Sequence, residues 1–426
     1  MAFLVAAYRQ LTWDAVGAGE GLETPMEVLS LAIVDSAKSS VTLALGLVGV
    51  MALFLGLMKV AEAGGLLVII ARTVRPLMTR LFPDVPAEHP AMGAMILNLS
   101  ANVLGLGNAA TPFGIRAMEE LDKLNPQKGT ATDSMALFLA INTSSVTLLP
   151  TGVIALRASV GSVDPAGILP TTLFATICST TVAIIAAKFY RRIWPVGGRQ
   201  SQKASDEANT GAAPGAAEGL DTKTAEGYPL WVSVIVLSTV LSIVPTTIIY
   251  GSIIAPWIIP GLILGFLAFG ILRGVPIYEA FVEGAKDGFQ VALRIIPYLV
   301  AILVAVGMFK ASGAMNLIVQ PLGALTGPLG LPPDALPMAL LRPLSGSGAY
   351  GIMASIIEDP AIGPDSYTGY LVSTLQGSTE TTFYVLAVYF GAIQIRRIRH
   401  AMAAALTADL AGIIAAVFIC TYLYGG

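Results

Sequence analysis

The stretch NLSANVLGLGNAAT, residues 98–111, decides how this chain is read. It sets three asparagines, a serine and a threonine into apolar surroundings, and NTSSVT at 142–147 does so again. Far downstream the pattern recurs as RPLSGS, 342–347, and QGSTETT, 376–382. An unpaired amide or hydroxyl in hydrocarbon costs several kcal/mol, so such runs persist only where they face protein, water or a solute. A polar centre that occurs twice in one apolar chain is the plan of a secondary transporter.

The surroundings justify the word apolar. The chain is 55% hydrophobic and 12% charged, with a mean hydropathy of +0.76, which excludes an ordinary soluble domain. Stretches near the ~20 residues that cross a bilayer are expected as helices at 41–58, 136–156, 169–187, 230–250, 253–272, 295–309, 371–395 and 401–424. Partial spans are expected at 66–81 and 315–331. Residues 1–11 read either as the tail of a helix that begins upstream or as an interfacial segment. The net charge of −3 singles out no partner, and nucleic acid is not indicated. Cys178 and Cys420 lie in apolar stretches without a CxxC, and His89 and His400 sit at segment ends where solvation is expected, so no metal or cofactor is expected.

Between 190 and 228 the composition turns to Gly, Ala, Ser, Lys, Asp and Glu, the signature of a flexible linker. A linker at 191–228 divides the chain into 1–190 and 229–426, and the two parts repeat one order of features. Asp35-Ser-Ala-Lys38 opens a helix ending at Lys59, and Glu283-Gly-Ala-Lys286 opens one ending at Lys310. An apolar segment follows each, then a Gly- and Ser-rich run, then Asp133-Ser134 or Asp365-Ser366, then Asn142-Thr-Ser-Ser or Gln376-Gly-Ser-Thr. Basic residues fall at Arg72, Arg75, Arg80, Lys188, Arg191 and Arg192 in the first half, but at Arg396, Arg397 and Arg399 in the second. Positive residues mark the cytoplasmic side, so equivalent loops are expected on opposite faces. The fold expected is therefore all-α and polytopic, with two inverted-topology repeats, a cytoplasmic linker and a C-terminus outside.

Within each repeat the polar runs read as re-entrant or broken helices. Pieces at 91–104 and 114–124 flank a break at 105–112, and residues 343–348 break the second half. Half-helix ends present oriented N–H and C=O dipoles that can replace a solute's hydration shell. The expected lining is Asn98, Ser100, Asn102, Asn108, Thr111, Asn142, Thr143, Ser144 and Ser145 from the first half. The second half supplies Arg342, Ser345, Ser347, Gln376, Ser378, Thr379 and Glu380. The competing interpretation is close helix packing, which suits the isolated Gly261-x-x-x-Gly265 pair better than these clusters. A charge at helix centre costs ~2.5–3.5 kcal/mol, so Arg342 and Glu380 either pair with each other or serve a substrate anion and a cation or proton. Lys59 and Lys310 are expected to snorkel to the interface. Gly346 to Gly351 fits GxGxxG without a preceding strand, and no acid, base and nucleophile set is recognisable, so no enzyme is expected.

Residues 98–118 and 142–150 closely resemble the spore maturation protein A family. Residues 341–348 and 373–391 resemble the spore maturation protein B family. The resemblance spans nearly the whole chain outside the linker and looks like a fusion of the two. It implies a bacterial inner-membrane protein with two copies of the nucleoside-recognition or Gate domain, whose fold resembles the core of concentrative nucleoside transporters. A fold label assigns no substrate. The function expected is secondary transport of a small polar or anionic solute, coupled to a proton or Na+, in a lipid bilayer and open to homo-oligomer formation. A membrane scaffold or assembly factor is the alternative, and an intramembrane enzyme a distant third.

Overall fold

The computed structural model describes residues 1–13, 23–194 and 227–425. Most of the expected linker lies outside the described residues, although Arg191–Ile193 still belong to a helix. The first part contains α1 (Ala2–Leu11), α2 (Pro25–Ala63), α3 (Leu66–Leu81), α4 (Pro90–Val103), α5 (Gly107–Lys123), α6 (Asp133–Thr143), α7 (Thr151–Ser159) and α8 (Ile168–Ile193). The second contains α9 (Leu230–Leu272), α10 (Ile277–Ser312), α11 (Ala314–Thr326), α12 (Leu336–Leu341), α13 (Gly346–Ile357), α14 (Tyr367–Ser378), α15 (Thr382–Ala392) and α16 (Ala401–Tyr424). Among the described residues α2, α8, α10 and α16 are long and apolar enough to cross a membrane. The chain is a polytopic, all-helical protein of membrane type.

Local chemistry explains where the helices begin, and it corrects some expected openings. Thr24 caps α2 in a capping box with Glu27, and Pro25 occupies the first turn. Asp35 and Glu283 therefore lie inside α2 and α10 rather than opening them. Helix α9 has both ends near the first half of α3: the Tyr228 N–H donates to the Arg72 carbonyl, and Arg273 Nε donates to that of Gly64 in the turn between α2 and α3. Such a helix has to fold back, and it does so at Tyr250, whose φ of −118° and ψ of 19° leave the helical range. The two arms correspond to the expected spans at 230–250 and 253–272.

Helices α2 and α10 run antiparallel. A Cβ on Gly288 would lie 2.7 Å from the Ala52 Cα, and one on Gly284 2.4 Å from the Leu55 carbonyl oxygen, so only glycine lets the backbones approach this closely. Helices α8 and α16 are antiparallel too, with Tyr190 against Thr407 near one end and Tyr424 donating to the Gly167 carbonyl at the other. Their seam is small-residue, including Ala183, Ala404 and Ala408.

Two expected spans, 136–156 and 371–395, are not continuous: each is cut into two short helices. In the first, Thr143 and Ser144 hydroxyls bond back to the Ala140 carbonyl and compete with helix propagation, and Pro150 stands at the start of α7. In the second, Thr379 and Thr381 take extended backbone between α14 and α15. The break expected at 105–112 is shorter, confined to Leu104–Leu106, and Pro112 sits within α5. It turns on Gly105, with φ of +75° and no room for a Cβ, which would meet the Leu149 carbonyl oxygen at 2.5 Å. Both hydrophobic cores draw residues from the two halves. One packs α4–α6 with α15 and the start of α16, and the other packs α2 and α7 with α13, α14 and the end of α16.

Candidate functional site

Helices α6 and α14 start at opposite ends of the α8–α16 pair. Asp133, at the start of α6, meets Arg399 at 2.8 Å and Arg191 at 3.5 Å beside the C-terminal end of α8. Asp365, just before α14, meets Arg157 at 2.9 Å beside the α7–α8 loop. Those ends are about 39 Å apart along the 26 residues of α8. From them α6 and α14 converge, and their C-terminal ends join: the Glu380 N–H donates to the Thr143 carbonyl at 2.9 Å. The polar runs of the two halves thus meet inside the protein.

The first-half residues form a connected group. Asn98, wholly buried, donates through Nδ2 to the Ala110 carbonyl at 2.7 Å and to Tyr389 of α15 at 3.3 Å. Thr111 also bonds Tyr389, and Asn102 donates to Asn142 Oδ1 at 2.9 Å. Asn142 anchors its own amide on the Phe138 carbonyl. The hydroxyls of Ser100, Thr143 and Ser144 bond carbonyls of their own helices. Ser145 is buried, and the Asn108 side chain lies outside the described residues.

In the second half Arg342 is buried and held internally. It donates to the Thr379 carbonyl and to Thr381 Oγ1 at 3.1 Å, and lies 4.0 Å from the half-exposed Glu380. The two charges thus stand within ion-pair distance of each other. Asp409 of α16 adds negative charge near Arg342 and accepts from Thr382 at 2.6 Å. The C-terminal ends of α6 and α14 carry partial negative charge, which a guanidinium at their junction offsets. Ser345 caps α13 by accepting from the Gly348 N–H, Ser378 bonds the Leu375 carbonyl, and Ser347 is exposed.

Some buried polar atoms at this junction have no hydrogen-bond partner: Asn98 Oδ1, Gln376 Oε1, Thr172 Oγ1 and Asp409 Oδ1. Unpartnered buried acceptors cost free energy, so their concentration near helix breaks needs a cause. Beside the first break a cavity of about 410 Å³ reaches Gly105, Leu106 and Thr151, with Lys59, Glu62 and Asp287 along its wall. Lys59 lies 3.5 Å from Glu62 and 3.4 Å from Glu283. Lys310 likewise pairs with Asp359 at 3.1 Å.

Sequence reading missed Tyr389, Asp409 and Arg157. Asp409 carried a signal, a carboxylate within an apolar span. Arg157, fully buried, donates to the Pro364 carbonyl, Ser373, Ser162 and Asp365, and stacks 4.3 Å from the Tyr370 ring. Nearby, burial pushes the Asp164 carboxyl above its usual range, with Arg157 opposing. His400, expected to be solvated, is 1% exposed, and burial together with Arg399 lowers its imidazole below the usual value. Its neighbour Arg399 is committed to Asp133. Among the described residues no group of His, Cys, Asp and Glu could hold a metal ion.

The Gate family, described as nucleoside recognition, matches residues 44–159 and 292–396, more than half of the chain. The matched segments run from α2 into α7 and from α10 to the loop before α16. Spore maturation protein A of Bacillus subtilis (strain 168) is 49% identical over 163 residues, covering 38% of this chain and 83% of the relative. Spore maturation protein B of the same organism is 46% identical over 167 residues, covering 39% of this chain and 93% of the relative. Two relatives that each take under two-fifths of the chain and most of themselves fit a fusion of A-like and B-like parts. No solved structure matches the chain.

Proposed function

The chain belongs to the Gate, or nucleoside-recognition, family, and on that premise we propose that it moves a small polar or anionic solute across the membrane by alternating access. The halves 1–190 and 229–426 are, in this reading, inverted repeats, with the basic ends of α3 and α8 cytoplasmic and the C-terminus outside. The antiparallel pairs α2 with α10 and α8 with α16 support it, as does the crosswise exchange of ion pairs at the two ends of α8. One observation carries the reading: α6 and α14 come from opposite ends and meet through Glu380 and Thr143, with unpartnered acceptors of both halves around the junction. Irregular backbone is tolerated at membrane depth only inside protein or along a water-filled path. Asn98, Asn142 and Gln376 are the amides proposed to contact the solute, and Glu380, half exposed beside Arg342, is proposed to couple its movement to a proton or Na+.

The test is uptake of a panel of labelled nucleosides, sugars, amino acids and phosphate into proteoliposomes. Flux of at least one solute should appear with the native chain and fall with Asn142→Ala and with Gln376→Ala at unchanged insertion. Undiminished flux in both variants would remove the site assignment, and no flux across the panel favours the second reading. That reading is a membrane scaffold or assembly factor, in keeping with the spore-maturation names of the relatives. What favours it is the internal engagement of Arg157 with Asp365, which ties the halves together at one end, while Arg342 is held within the second half.

A further inference from the structure

Apart from the junction, the end of the bundle where α3, α6 and α8 come together holds a second cavity, of about 320 Å³. Arg80 from the last turn of α3 and Lys188, Arg191 and Arg192 from the last turns of α8 surround it. Ser134, in the first turn of α6, and the buried His400 line it too. Two carboxylates are present. Asp133 is taken up by Arg399 and Arg191, and Asp84 stands exposed. Arg80, Lys188 and Arg192 have no ion-pair partner among the described residues, so a surplus of positive charge faces the cavity. His400 Nδ1 is buried without a hydrogen-bond partner.

Two ordinary causes account for part of this. Basic residues favour the last turn of a helix, and they favour the cytoplasmic end of a span. Neither cause makes cations from separate helices converge on one hollow. The opposite end of α8 provides an internal comparison: there Arg157 faces both Asp365 and Asp164, and no cationic surplus remains. Bracing the bundle therefore does not require the extra charges at the α3–α8 end.

We propose that this cavity binds a phosphate group, presented either by an anionic phospholipid at the membrane surface or by a soluble phosphate ester. Arg80, Arg192 and Lys188 supply charge, with the Arg guanidinium able to engage two phosphate oxygens at once. The Ser134 hydroxyl and the N-terminal end of α6 add donors and positive dipole at the cavity wall. The site is separate from the solute junction, and its test does not depend on transport.

The purified full chain in detergent would be titrated with phosphatidylglycerol, followed by native mass spectrometry, and separately with glycerol phosphate, followed by thermal shift. The pocket variant Lys188→Gln/Arg192→Gln is compared with Arg396→Gln/Arg397→Gln, which removes equal charge from exposed positions that do not line the cavity. Binding should weaken roughly 30-fold in the pocket variant, from two surface cations, and stay near native in the other. Selective loss with the lipid alone identifies a lipid headgroup, and loss with both ligands identifies phosphate in general. Equal loss in the two variants, or no binding of either ligand to a folded native chain, overturns the proposal.

Discussion

Arg157 and Asp365 face each other at 2.9 Å across the two halves, and Arg399 and Asp133 repeat the arrangement at 2.8 Å at the other end of α8. Each half lends an arginine that precedes its last long helix, Arg157 from the last turn of α7 and Arg399 from the loop before α16, to a carboxylate near the start of a short helix in the other. The first pair is the more deeply enclosed, since Arg157 has no solvent exposure. Asp365→Ala removes the carboxylate that Arg157 bonds directly and leaves Asp164 nearby, so a loss of about 3 kcal/mol is expected, the low end for a broken buried pair. Asp133→Ala should cost less. Thermal unfolding of both variants in detergent checks the order, and Arg157→Met/Asp365→Ala should recover much of the loss.

Gly105 is the pivot of the break between α4 and α5. Alanine there takes a left-handed conformation costing roughly 1–2 kcal/mol and places a Cβ 2.5 Å from the Leu149 carbonyl oxygen. Gly129 has the same sign of φ but open space around it. Gly105→Ala should therefore reduce both stability and solute flux, whereas Gly129→Ala should show only a small stability loss. Equal effects of the two would deny the break its structural importance.

His400 gives the protein an acid-sensitive end. Burial and the neighbouring Arg399 lower its pKa, with Arg191 in the same sense and Asp133 opposing. A base whose folded pKa lies below its unfolded value of ~6.5 takes up fewer protons when folded, so stability is lost as pH falls below that value. The apparent melting temperature should drop between pH 7.5 and 5.5. His400→Gln should flatten that drop, and an unchanged slope would assign the sensitivity to other groups.

The helical membrane class was legible because composition and span length are dictated by the solvent, and the polar runs were legible because hydrocarbon penalises them. The long-range consequences were not. Residues 136–156 and 371–395 have the length of spans, and only the local competition of Thr143 and Ser144 for the Ala140 carbonyl shows why the first is cut. Arg342 could be recognised as needing a partner, but it also donates to the backbone carbonyl of Thr379, which no residue pattern announces. Tyr389 meets Asn98 only because the two cores are shared between halves.

Sidedness has its own check. Reporter fusions in 195–226 and in the Arg396–Arg399 loop should report one face, and fusions near Val163 the other. Placing the first two on opposite faces would contradict the inverted-repeat reading.

The central claim is that the junction of α6 and α14 is reached alternately from the two sides. With Cys178 and Cys420 replaced by alanine, a single cysteine at Ser145 or Gln376 would be challenged with a membrane-impermeant thiol reagent in right-side-out and in inverted vesicles. Alternating access is expected to give labelling from both sides, with the balance shifted by a transported solute. Labelling from one side only, unchanged by every solute in the panel, would contradict it.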